Sequence, residues 1–285
     1  MRTGDQAEGL RRLFGRRVAR VAAVAACRPR TGRTTLVVNL AAALGQNGRA
    51  VLVLDENRGM GNVADLLGLR PRYELAHALR QDRPLADALL QGPHGVTVLP
   101  AAQGLRMLAD PGRVSREALA PLSRALAAAD VVLVDTTPDT GTDFTLPLAA
   151  RRETILAAAA CTDGITGTYA RIKELACREP EPHVSVVVCG ARQEIGALTA
   201  IRNLSEVTAR HLGLRIESLG VLCHDPLFAQ AARAGKTLPE VFRRSRAAAQ
   251  LHSIAARFEA AGRDAGPGRR AGAVPTAPAR AGVPA

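Results

Sequence analysis

Short, continuous apolar runs recur through the middle of the chain. Longer stretches separate them, in which apolar residues return every three or four positions. The runs span 18–26, 50–54, 96–99, 131–134, 153–160, 184–189 and 216–222, and are rich in Val, Leu, Ile or Ala. They do not alternate apolar with polar, so they predict strands covered on both faces, as in a parallel sheet between helices. Helical spacing marks 34–47, 113–128, 164–177, 194–212 and 245–261. Strand and helix in alternation predict an α/β fold, a doubly wound, mostly parallel sheet flanked by helices, over residues 18–261. Residues 1–17 precede that pattern. Residues 262–285, "GRDAGPGRRAGAVPTAPARAGVPA", offer Gly, Pro, Ala and Arg but no core, and predict a disordered basic tail.

Composition sharpens the picture. Of 285 residues 47% are apolar, but only 2% are aromatic and none is Trp, so the core must be built from Ala, Val, Leu and Ile. The length fits one large α/β domain as well as two small ones. The formal charge of +12 is nearly all arginine, since Lys173 and Lys236 are the two lysines. Much of it sits at the ends: six Arg in residues 1–20 and four in 262–285. Such tails suit an acidic membrane surface, nucleic acid or plain solvation. Five cysteines show no CxxC pairing, and four end or flank apolar runs, which argues against a disulfide or zinc framework. None of the six histidines pairs with Cys or Ser at a catalytic spacing. No apolar leader and no run of membrane-spanning length is visible, and the expectation is a reduced, cytoplasmic protein.

Candidate chemistry begins at "RPRTGRTT", residues 28–35, between the first strand and the first long helix. A phosphate loop presents successive backbone N–H groups at a helix start. Gly32 precedes Arg33 and Thr34 where the standard motif has Gly-Lys-Ser/Thr. Thr34 offers a hydroxyl to Mg²⁺ and Arg33 a planar guanidinium to phosphate, while Pro29 removes one N–H donor. Taken alone, the loop is equally an ordinary strand-to-helix turn. Two carboxylates bear on the choice: Asp55 ends the run 50–54 and Asp135 the run 131–134. Strand-end carboxylates face the crevice where such folds bind ligands, and can hold Mg²⁺ or its water.

These segments, with "VLVLDENRGMGNVADLLGL" and "DVVLVDTTPDTGTD", resemble the MinD/ParA family of deviant Walker ATPases from about residue 18 to 261. The resemblance implies a MinD-like P-loop NTPase fold, with ATP and Mg²⁺ as cofactors. It puts Arg28 in the place of the signature lysine that reaches across the dimer, and Arg33 in that of the Walker A lysine. Gly32 and Thr35 belong to the nucleotide loop. Thr34 takes the place of the metal-binding residue, Asp135 that of the Walker B aspartate and Asp55 that of the first switch aspartate. Asn57 stands where the family has its water-activating aspartate, and Cys189 where it has an adenine-contacting Asn. An amide cannot accept a proton as a carboxylate does, so hydrolysis is expected to be weak or absent.

A separate signal lies near the N-terminus, in "GDQAEGLRRLF". Asp5, with Glu8 three residues on, can start a short helix. Ala7, Leu10 and Phe14 share one of its faces. "DQAEGLR" resembles the D-Q-A-x-x-L-R motif of the FlhG (FleN) regulators of flagellar number, a MinD-like subfamily. There the segment binds the FlhF GTPase and stimulates it. Asp5, Gln6, Ala7, Leu10 and Arg11 are the matching positions, which makes 1–17 an FlhF-activating helix. The implied partners are FlhF, a second copy of the chain, the inner face of the cytoplasmic membrane, and flagellar regulators or basal-body components. Leu251, Ile254, Ala255 and Phe258 share a face of the last helix, which either binds membrane or packs on the domain; the short, Ala-rich stripe favours packing. Two other readings stay open: a competent ATP-dependent dimer and membrane switch, and a ParA-like nonspecific DNA-binding protein. Charge confined mostly to the tails, with no preceding helix-turn-helix, speaks against nucleic acid.

Overall fold

A computed structural model describes residues 19–108, 114–137, 153–179 and 181–264, with side chains described to 262. Strand β1 (Arg20–Ala26) leads into helix α1 (Arg33–Gln46) and then β2 (Val51–Asp55). Two short helices follow, α2 (Val63–Leu66) and α3 (Leu75–Leu79), then β3 (Leu90–Gln91) and β4 (Val96–Pro100). Helices α4 (Ala102–Leu108) and α5 (Arg116–Ala128) precede β5 (Val131–Asp135) and β6 (Glu153–Ala159). The second half runs α6 (Thr162–Arg178), β7 (His183–Ala191), α7 (Glu194–Leu212) and β8 (Glu217–Cys223). Helices α8 (Leu227–Arg233), α9 (Leu238–Val241) and α10 (Arg246–Asp264) complete it.

The described strands form one eight-stranded sheet in the order β3-β4-β2-β5-β1-β6-β7-β8. Each of their pairings is parallel except β3 with β4. The apolar runs are continuous because both faces of the sheet are covered. In β2, Val51 and Val53 join the core under α1 and α10, while Leu52 and Leu54 join the opposite core under α3, α4 and α5. Helices α6 and α7 cover the strands β6 to β8 on that second face. From β1 the chain crosses over β5 to reach β2, and later returns to β6 on the other side of β1. That divergence opens a crevice at the carboxyl ends of the central strands.

The apolar face of α10 belongs to the core. Leu251, Ile254, Ala255 and Phe258 are at most 1% exposed. Arg20 of β1 stacks its guanidinium 3.6 Å from the Phe258 ring centre, donates to the Phe258 carbonyl, and pairs with Glu153 of β6 at 2.7 Å. The packed alternative is thus the one realised. No helix among the described residues is long and apolar enough to cross a membrane. The DQAEGLR segment and the tail from residue 265 lie outside the described residues.

Candidate functional site

The loop between β1 and α1 turns on two left-handed residues, Arg30 (φ 59°) and Gly32 (φ 92°). Thr31 braces it by donating its hydroxyl to the Arg28 carbonyl at 2.8 Å. Gly32 caps α1, and no side chain caps with it. The first intrahelical bond runs from the Leu36 N–H to the Gly32 carbonyl, so the N–H groups of the opening turn face the crevice with the positive end of the helix dipole behind them. The helix is locked from below by Asn39, which donates to the Thr35 carbonyl and accepts from the Leu238 N–H, each at 2.8 Å.

Asp55 and Asp135 lie directly opposite each other in the β2–β5 register. Asp135 is fully buried. Its Oδ1 accepts from Arg33 Nε at 2.6 Å and its Oδ2 from the Thr34 hydroxyl at 2.8 Å. Burial pushes its proton affinity up, against the opposing pull of the Arg33 guanidinium and these hydrogen bonds. Asp55 forms no ion pair among the described residues. It accepts from the backbone N–H groups of Asn57 (3.0 Å) and Val63 (2.9 Å), which wraps the segment after β2 around it. Burial first, and then the Asp135 charge, raise its pKa to about 7.

The expected site residues therefore divide. Gly32, Arg33, Thr34, Thr35 and Asp135 come together at the start of α1, and Asp55 stands beside them. Arg28 turns away to pair with Asp163 of α6 at 3.1 Å, with both side chains largely exposed. Asn57 turns its side-chain oxygen back to the Gly59 N–H at 2.9 Å. Cys189, at the end of β7, is buried beside Gly32, and burial pushes its thiol up to about 12. Asp5, Gln6, Ala7, Leu10 and Arg11 lie outside the described residues.

Beside the loop is a cavity of about 530 Å³, the right size for a nucleotide, lined by Arg30, Gly32, Thr35, Cys189, Asp225 and Lys236 among others. Sequence reasoning missed Arg30, Asp225 and Lys236. The segment His224-Asp225-Pro226, one residue beyond the last apolar run, was the available signal, because a proline there stops the strand at the crevice. It also missed Glu56, a buried carboxylate that accepts from the Thr137 N–H at 3.0 Å and ties the segment after β2 to that after β5. A nucleotide fits this arrangement: open helix-start N–H groups, a cavity alongside, and basic residues on its wall. A divalent ion fits Thr34 and Asp135 poorly as they stand, because Arg33 already neutralises the carboxylate and the Thr34 hydroxyl bonds its other oxygen.

No protein-family profile matches the chain. The antiactivator FleN of Pseudomonas aeruginosa is 31% identical over 232 residues, which covers 80% of this chain and 82% of FleN. The chain belongs to the FleN family. An uncharacterized ATP-binding protein of Methanocaldococcus jannaschii is 26% identical over 245 residues, 83% of this chain and 86% of that protein. Among solved structures, the Aquifex aeolicus MinD cell division protein superposes with a TM-score of 0.63 at 19% identity, over 85% of this chain and 97% of MinD. The Pyrococcus horikoshii septum site-determining protein MinD, solved with Mg-ADP, gives 0.60 at 19% identity, over 86% and 97%. This FleN-family chain thus has the fold of the MinD/ParA P-loop ATPases, and its loop, Asp55 and Asp135 sit around the crevice of that fold.

Proposed function

We propose that the chain is a regulator of flagellar number of the MinD/ParA type, which presents its N-terminal segment to the FlhF GTPase and stimulates GTP hydrolysis there. The relationship to FleN across four-fifths of the chain carries the reading. The DQAEGLR resemblance, with Asp5, Gln6, Ala7, Leu10 and Arg11 as contacts, supplies the partner. In this reading ATP binds at the loop, held by the N–H groups after Gly32 and by Arg33, and is turned over slowly or not at all. Two features support slow turnover. Asn57 is an amide turned into its own loop. Asp55, which forms no ion pair among the described residues, has its oxygens engaged by backbone donors. A second copy of the chain, closed over ATP, is the natural dimer partner. With the α10 face spent on the core, attachment to the inner membrane would rest on the arginine-rich residues 262–285.

The test is turnover by purified FlhF with the full chain, with a peptide of residues 1–20, and with the full-length Leu10→Ala and Arg11→Ala variants. The expected result is stimulation by chain and peptide, lost in both variants. Equal stimulation by the variants, or none by the wild type, sinks the reading.

A further inference from the structure

The pairing of Arg33 with Asp135 has a chemical meaning beyond a replaced lysine. Asp135 ends β5 at zero exposure, hemmed by β1 and β2 on either side, so its carboxylate has little room to turn. Both oxygens are engaged, one by Arg33 and one by Thr34. The Arg33 side chain is itself 10% exposed, so the ion pair is nearly dry. A divalent ion at Thr34 would lean on an Asp135 oxygen, directly or through its water, and would there meet a carboxylate whose charge Arg33 already neutralises. A cation beside that pair gains little from a carboxylate already paired and is repelled by the guanidinium at 2.6 Å from it.

We propose that Arg33 is the resident cation of this site, standing toward Asp135, Thr34 and the nucleotide where a divalent ion would stand, so that the chain binds a nucleoside triphosphate free of metal. The inference rests on the reading that the loop binds ATP. A guanidinium suits the task because it is a planar fork with five N–H donors, which can meet a carboxylate with one edge and phosphate oxygens with another. Among the described residues Arg33 spends Nε on Asp135 and bonds no other group, so its Nη donors are available to phosphate. An ammonium is a compact point charge without that second edge. On the cavity wall the added negative charge of a metal-free triphosphate has Arg30 to meet, and Lys236, which shares its charge with Glu240 at 3.7 Å, against the carboxylate Asp225, whose Oδ1 already accepts from the Leu227 N–H.

The experiment is calorimetric titration of the full chain with ATP, once in EDTA and once in excess Mg²⁺, for wild type and Arg33→Lys, with a melting curve to show that the variant is folded. Wild-type affinity is expected to differ by less than about threefold between the buffers, whereas Arg33→Lys should bind at least about tenfold more tightly with Mg²⁺. Wild-type binding that requires Mg²⁺ overturns the resident-cation assignment and leaves ATP binding standing. Metal independence retained in a folded Arg33→Lys also overturns it, since the property then lies elsewhere. No heat in either buffer removes both the assignment and the ATP-binding part of the function. Should Arg33→Lys fail to fold, the two wild-type titrations decide alone.

Discussion

Two strand ends, side by side in one sheet, carry the same residue and treat it differently. Asp55 at the end of β2 and Asp135 at the end of β5 are in register, both are sealed from solvent, and burial raises the proton affinity of both. Asp135 is neutralised by a guanidinium and a hydroxyl. Asp55 is held by backbone N–H groups. N–H dipoles steady a carboxylate without cancelling its charge, so Asp55 remains close to half-protonated at neutral pH while Asp135 is committed to an ion pair. Arg33 thus acts on one strand end and spares the other. One end is a fixed electrostatic joint and the other a proton-sensitive clasp around the segment after β2.

The sharpest way to break this comparison is to remove the cation. Arg33→Ala leaves a buried carboxylate without its partner and should cost about 3 kcal/mol of stability by chemical denaturation. A loss near that of a surface mutation would mean that the joint carries nothing. The next test uses protons. The Asp55 pKa is about 7 in the folded chain against 3.8 for a free side chain, so between those values the folded state holds a proton that the unfolded chain has released. Stability contributed by that proton is present at low pH and is lost as pH rises toward 7. The expected fall is on the order of 2 kcal/mol from about pH 5 to about pH 8. Asp55→Asn should flatten the slope, and an unchanged slope would place the titration elsewhere. The smallest effect belongs to Arg28→Ala. Its pair with Asp163 lies in solvent, so stability should change by less than about 0.5 kcal/mol, as read by the melting midpoint.

The sheet was legible in the chain because burial on both faces leaves mostly apolar residues in the middle of a strand. The runs ending in Leu54, Leu99 and Val134 each fall within a residue or so of β2, β4 and β5. The helix expected over 113–128 starts instead at Arg116, where Ser115 caps it by accepting from the Ala118 N–H. The two-residue β3, which pairs antiparallel at the sheet edge, was not visible, since two residues have no period. Nor were α2, α3, α8 and α9, whose four to seven residues are too short for a helical repeat and are fixed by caps and by the cores they touch. In the site, Asp55 and Asp135 could be placed because a strand end has a known position. The direction of the Arg33 head could not, because its partner is 102 residues away and is chosen by the sheet order. Glu56 escaped for the same reason: what it ties together is adjacent only after β2 and β5 have paired.

Helix α1 has nine consecutive buried residues, Leu36 to Leu44, and is therefore walled in around its whole circumference. Such a helix cannot back away when the residue at its first turn grows. From its first turn the Arg33 head reaches inward to the end of β5. The helix is the fixed jaw of the crevice. Across the crevice from it, the segment after β2 is held to Asp55 by two backbone bonds, a far lighter attachment than the wall around α1.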